Sequence, residues 1–209
     1  INLSNFDAIL IGGSTLSSER FASAVDYIRS ITVLKLIIFP SSSQHFSNSA
    51  DAILFTTMLS SNKRKFIVGE QLKASKSIHD SGIAIIPTGY IHIDGGHLSS
   101  IQSVTREKPI NSNDYKLIIS YAYLCKNFGY SYIYLEAGSG AHKKIPSAIV
   151  SEISLNCNVP IIVGGGITTV NDIKDYSGTN VSAIVIGNLL ETNVTVDYLK
   201  ELTGVNLGG

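Results

Sequence analysis

The stretch PIIVGGGI, residues 160–167, runs a strand-length apolar segment into three glycines, and AIVIGN, residues 183–188, ends the same way in Gly187 and Asn188. Three successive glycines carry no side chain that would keep a phosphate away from backbone N–H groups, and Asn188 adds an amide donor. In a barrel of parallel strands and helices, a phosphate is frequently held between the loops after the seventh and eighth strands. These two ends therefore read as the last two strands of such a barrel.

Working backwards, five further runs rich in Ile, Val and Leu fall at residues 8–11, 34–39, 52–55, 83–86 and 132–135. Helix-like segments at 18–29, 71–79, 114–127, 146–156 and 170–175 separate most of them. Continuous apolar strands alternating with amphipathic helices imply a parallel sheet covered on its outside. Small and polar residues collect at the ends of the runs: GGST (12–15), FPSSS (39–43), FTT (55–57), PTGY (87–90), EAGSG (136–140), GGGI (164–167) and GN (187–188). A barrel builds its active site at one rim in this way, whereas an open doubly wound sheet uses one switch point. The expected fold is a single α/β domain, a (β/α)8 TIM barrel over residues 1–209. Its first strand and helix are expected ahead of Ile1, and one helix is replaced by the Ser-rich link at 39–50.

Composition narrows the function. The 209 residues are 44% hydrophobic, and 16 basic residues balance 16 acidic ones. No basic stripe of the kind nucleic-acid binding needs is present, and no apolar run approaches the roughly 20 residues of a membrane span. Cys125 and Cys157 have no partner at metal spacing and read as reduced packing residues, which places the protein in the cytoplasm.

Chemistry concentrates at YLEAGSG, residues 134–140. A carboxylate at the end of an apolar run is costly to desolvate unless it is bonded or faces a cleft. Glu136 is accordingly a candidate to hold or deprotonate a substrate hydroxyl, against the plainer alternative of pairing with Lys143. Tyr134, two residues earlier, points to the same face. The candidate substrate-binding set is Tyr134, Leu135, Glu136, Ala137, Gly138, Ser139, Gly140, Gly164, Gly165, Gly187 and Asn188, with Glu136 and Tyr134 catalytic. Ser14 and Thr15 offer hydroxyls to a hard cation such as Mg²⁺, with Ser14 the candidate ligand, but a hydroxyl alone does not make a metal site. His92, Asp94 and His97 in IHIDGGH match no strong metal motif, and the glycine pair reads as a turn.

With YLEAGSGA, VGGGI and IGN at the last three strands, and ILIGGST, IIFPSSS, ADAILFTTMLSSN and IPTGYIHIDGG at the earlier ones, the chain resembles geranylgeranylglyceryl phosphate synthase and the related bacterial prenylglyceryl phosphate synthases. The resemblance implies an archaeal-type ether-lipid prenyltransferase joining sn-glycerol 1-phosphate to a prenyl diphosphate, with Mg²⁺ assisting departure of diphosphate. It assigns the glycerol hydroxyls to Tyr134 and Glu136, and the phosphate to Gly138, Ser139, Gly164, Gly165, Gly187 and Asn188. A homo-oligomer and transient contact with a membrane surface are the further implications. Phe39, Phe55 and Tyr90 are candidates for an apolar groove. The family's Asp-Pro-Asp-Lys metal segment does not occur in these residues, and the strand count puts it on the strand expected before Ile1. Two rivals are a phosphate-binding isomerase or aldolase, for which no strand end carries the Lys such chemistry usually wants, and a non-catalytic phosphate-ligand binder.

Overall fold

The computed structural model describes residues 2–13, 15–192 and 194–207. Seven strands form one sheet in the order β1 (Ala8–Ile11), β2 (Lys35–Ile38), β3 (Ala52–Met58), β4 (Ala84–His92), β5 (Tyr132–Glu136), β6 (Ile161–Gly164) and β7 (Ala183–Val185). Every neighbouring pair is parallel. The sheet curls into a nearly closed barrel: the Asn5 N–H, just ahead of β1, donates to Thr203 Oγ1 (3.3 Å) on the helix that follows β7.

Helices α1 (Ser18–Ile31), α2 (Glu70–Ser81), α3 (Ser100–Thr105), α4 (Tyr115–Phe128), α5 (Ser147–Cys157), α6 (Val170–Lys174) and α7 (Val196–Thr203) lie between and after the strands. A π-helical turn (Lys65–Gly69) leads into α2, and a 3-10 turn (Asn188–Glu191) follows β7. No helix joins β2 to β3, as the Ser-rich link implies. Helix starts follow local chemistry: Ser17, Ser99, Asp114, Thr169 and Thr195 each cap a first turn by accepting a backbone N–H, which satisfies one of the donors a helix start leaves unpaired. The short helices α3 and α7 are additions to the expected set, because six or eight residues give little periodicity to read.

Period-two alternation sorts each strand into an inner and an outer set. Along β5, Tyr132 and Tyr134 face the barrel interior with Leu54, Met58, Tyr90 and Ile162. Ile133 and Leu135 face outward, packing with α4 and α5 residues such as Ile118, Ala122, Ile149 and Ile153. Around β1 and β2 the outer layer is Ile11, Leu36 and Ile38 against Phe21 and Val25 of α1 and Ile78 of α2. The core thus has two layers, and the inner one is rich in aromatic rings.

Two strand ends differ from the reading of the sequence. PTGY is not the rim of β4, which continues to His92, and β3 continues past FTT to Met58. Gly89 is a packing glycine: a Cβ there would lie 2.3 Å from Cys125 Sγ and 3.2 Å from Leu59 Cδ1. The strand crosses closely over α4 at that point, and only glycine fits.

Candidate active site

The rim carrying the C-terminal strand ends opens onto a cavity of about 800 Å³. Its lining comes from the ends of all seven strands and from α2 and α3. One side is small and polar, with Gly138, Ser139, Gly140, Gly165, Gly187 and Asn188; the other is apolar, with Phe39, Phe46, Met58, Phe66, Ala74 and Ile101. Phe55 and Tyr90 border it as well. The apolar side extends toward α2 where the missing β2–β3 helix leaves the sheet covered only by a loop.

Tyr134 and Glu136 stand between the two sides. Glu136 is 8% exposed, and its Oε1 accepts the Gly138 N–H at 2.7 Å. Burial pushes its pKa up, against the Gly138 and Tyr134 hydrogen bonds, which favour the charged form. Burial and the nearby Glu136 charge also push the Tyr134 and Tyr90 phenols well up, so both are neutral donors. Lys143 is not the partner of Glu136: among the described residues no cation is ion-paired with this carboxylate. Tyr134 is wedged between Phe39 and Tyr90, with ring centroids at 5.3 and 5.4 Å, and this fixes its hydroxyl.

The glycines divide by purpose. A Cβ on Gly164 would lie 2.7 Å from Tyr134 Oη and 2.8 Å from Glu136 Oε2, so this residue makes room for the pair and does not itself border the cavity. Gly165, at φ +82°, presses so closely on its neighbours that a Cβ there would lie 2.7 Å from Glu136 Oε1 and from the Gly138 backbone, and it locks the β5 and β6 loops together. Gly187 is different. A side chain there would meet no protein atom within 4 Å; its lack of a Cβ keeps open space open, as an anion cradle requires. Asn188 Oδ1 accepts the Gly140 N–H (2.8 Å) and the Ser139 hydroxyl (3.1 Å). That orients the amide so that Nδ2 remains its donor.

Besides Gly164, two more of the expected substrate contacts lie off the cavity. The Leu135 and Ala137 side chains belong to the outer cluster under α4 and α5 and do not border the cavity. Both sit one residue out of phase with Tyr134 and Glu136, so the pleat turns them away. Ser14 lies outside the described residues.

His92, on the same face as Tyr90, stands out in the sequence only as a weak metal candidate. It is buried; Nε2 lies 3.1 Å from Ser99 Oγ and Nδ1 has no partner. Burial pushes its pKa down to about 4. Ser99 in turn sits against Gly138, whose Cβ would be 2.4 Å from Ser99 Cβ. The spacing of two from Tyr90 is the signal that marks it.

Mg²⁺ is ordinarily held by one or two carboxylates together with substrate phosphates and waters. Among the described residues no group of three or more His, Cys, Asp or Glu side chains converges. Three carboxylates border the cavity: Glu136 holds the Gly138 N–H, Glu70 holds the Ser43 N–H, and Glu191 lies at the 3-10 turn after β7. The described residues thus offer single carboxylates to a cation and no converging set of three.

Fold and site together define a phosphate-handling (β/α) barrel enzyme in which a buried Tyr–Glu pair separates a glycine cradle from an apolar groove. The chain belongs to the PcrB family, matched over residues 2–205. Geranylgeranylglyceryl phosphate synthase of Thermoplasma volcanium is 36% identical over 200 residues, 95% of this chain and 79% of that protein. The protein of that name from Zunongwangia profunda is 33% identical, over 88% of this chain and 78% of its own length. The crystal structure of (S)-3-O-geranylgeranylglyceryl phosphate synthase from Thermoplasma acidophilum, in complex with substrate sn-glycerol-1-phosphate, superposes with a TM-score of 0.89 at 34% identity, covering 96% of this chain and 81% of that one. Relatives of this name occur in bacteria as well as archaea, so family membership does not make the source archaeal. No helix among the described residues is long and apolar enough to cross a membrane.

Proposed function

We propose that the chain is a prenyltransferase that joins geranylgeranyl diphosphate, or another allylic prenyl diphosphate, to sn-glycerol 1-phosphate. The product is a prenylglyceryl phosphate ether, the first ether bond of an archaeal-type phospholipid, and diphosphate is released. The observation that carries the reading is Glu136: a buried carboxylate with a raised pKa, placed between a glycine cradle on one side and an apolar groove on the other.

The cradle of Gly138, Ser139, Gly165, Gly187 and Asn188 takes the phosphate of the glycerol substrate through backbone N–H groups and the Asn188 amide. Anchored there, glycerol phosphate brings its hydroxyls to Tyr134 and Glu136. Tyr134, neutral and held by Phe39 and Tyr90, donates a hydrogen bond and positions the glycerol. Glu136 accepts the proton of the attacking hydroxyl as its oxygen bonds to the allylic carbon. The carbon–oxygen bond to diphosphate breaks, and the leaving group departs with the electron pair. A base with a raised pKa draws that proton more strongly than a surface carboxylate would. The prenyl chain lies in the apolar part of the cavity.

Mg²⁺ is retained in the proposal on substrate chemistry alone: when bound, it neutralises the leaving diphosphate. The proposal also includes a homo-oligomer, supported by the exposed Tyr115, Tyr123 and Phe128 along α4, and a cytoplasmic setting, supported by the two buried free cysteines. The test is transfer of labelled sn-glycerol 1-phosphate to an organic-extractable product in the presence of geranylgeranyl diphosphate and Mg²⁺, with EDTA as control. Extractable label that EDTA abolishes supports both reaction and metal. No transfer with any prenyl length, despite binding of glycerol phosphate, refutes the reaction.

A further inference from the structure

The apolar arm of the cavity emerges between two segments: the π-helical turn leading into α2, and α3. Phe66, Glu70 and Gln71 border it on one side, and Ile101, Val104 and Thr105 on the other. The same two segments form the outer surface beside that opening, and its composition is unlike the rest of the chain.

Residues 63–76, KRKFIVGEQLKASK, contain five of the chain's 16 basic residues and one acid. The segment is two-faced. Phe66, Glu70, Ala74 and Ile78 recur every fourth residue and border the cavity, whereas Arg64, Val68, Leu72 and Lys76 recur every fourth residue on the outside. Leu72 is 64% exposed, Val68 42% and Ile67 36%, and Val104 of α3 is 49% exposed across the opening.

The charges are sorted as well. Glu70 turns inward to the Ser43 N–H, and Glu107 is buried against the Asn62 N–H. Arg64, Lys65, Arg106 and Lys108 point outward, and among the described residues none of them is ion-paired. Lys65 Nζ stands 5.3 Å over the ring of Phe66, at the lip itself. Lys63 ties the two segments into one surface, donating to the Thr105 carbonyl (2.6 Å) and pairing with Glu107 (3.2 Å).

We propose that this lip, formed by residues 64–73 and 104–108, docks on a bilayer surface carrying anionic headgroups. The basic residues meet lipid phosphates, and Ile67, Val68, Leu72 and Val104 enter the headgroup layer. The groove then opens at the membrane, and a prenyl chain passes from the bilayer into the barrel without crossing water. The sequence shows no basic amphipathic helix because the surface is assembled from a π-helical turn, the first turn of α2 and the end of a six-residue helix. The use of the surface in catalysis rests on the prenyl-substrate reading, but the docking itself does not.

The experiment sediments the full chain with phosphatidylcholine vesicles made with and without phosphatidylglycerol, across a salt series. The expected result is binding to the anionic vesicles that weakens as salt rises. Each basic residue contributes roughly fivefold in partition, so Arg64→Gln/Lys65→Gln lowers it about 25-fold. Leu72→Gln lowers the binding that persists at high salt. Both variants are expected to match the unsubstituted chain in transfer to detergent-dispersed prenyl diphosphate and to fall behind it when the prenyl diphosphate is supplied in anionic vesicles. Equal binding to neutral vesicles, absence of binding at low salt, or variants that sediment like the unsubstituted chain overturn the proposal. Variant-sensitive binding without transfer in any form upholds the docking surface and refutes the prenyltransferase reading.

Discussion

Glu136→Gln separates the proposed catalytic role of the central carboxylate from its structural one. Glutamine keeps the size of the side chain and an Oε1 that accepts the Gly138 N–H, now at 2.7 Å, but it cannot take a proton. Loss of a general base costs about 10²–10⁴ in rate, which is about 2.7–5.5 kcal/mol of transition-state stabilisation. Stability moves the other way. Burial raises the folded-state pKa of Glu136 above its ordinary 4.5, so its contribution favours the fold below that value and is lost as pH rises through the folded pKa. At neutral pH the charged carboxylate is therefore a net burden on the fold, and the neutral amide relieves it. The expected result is a variant whose melting temperature at neutral pH equals or exceeds that of the unsubstituted chain, while kcat for labelled glycerol phosphate transfer falls at least about a hundredfold. KM for glycerol phosphate changes little, because the phosphate cradle is intact. The unsubstituted enzyme should also lose activity on the acid side through a pKa above 4.5, a limb the variant lacks. Transfer within about tenfold of the original rate, or a variant markedly less stable at neutral pH, refutes the assignment of Glu136 as a strained base.

Two further predictions test the frame around the site. Gly89→Ala places a methyl 2.3 Å from Cys125 Sγ and should cost ~1–3 kcal/mol in urea unfolding, with the double variant Gly89→Ala/Cys125→Ala recovering most of it; additive losses would mean that the contact is not the cause. His92 has its pKa lowered from 6.5 to about 4 by burial, so the unfolded chain takes up a proton first. The fold should lose up to about 1.4 kcal/mol per pH unit as pH falls between those values. His92→Leu removes that dependence, and unfolding midpoints measured across the interval in both proteins check it: identical slopes would show that the imidazole is not held neutral.

Much of the architecture is legible from local pattern. All seven strands fall on the seven apolar runs, because a strand buried on both faces reads as a continuous apolar segment. The absent helix between β2 and β3 is equally visible as a Ser-rich stretch without helical period. The departures have physical causes. Pro87 and Gly89 look like the end of β4, since both residues usually interrupt strands, yet Gly89 is there because α4 passes too close for a Cβ. Leu135 and Ala137 join the expected site only as neighbours of Tyr134 and Glu136, and the two-residue period that puts Tyr134 and Glu136 together is what turns them outward.

What the sequence determined by itself is what neighbouring residues decide: strand positions, most helix positions, and the runs of small residues that mark one rim. These follow from backbone sterics and from periodicities of two and 3.6, which act within a few residues. The tertiary structure decided the rest, because it depends on groups far apart in the chain. Glu136 owes its raised pKa to burial among Tyr134, Gly138 and Gly165, brought together by β5, β6 and their loops. The purposes of Gly89, Gly164 and Gly187, alike in sequence, differ because one meets a helix, one meets the Tyr134–Glu136 pair and one meets open space. The basic and apolar lip exists only where residues 64–73 and 104–108 are drawn together by Lys63 and Glu107. Desolvation and close approach act through space, and only the folded chain sets those distances.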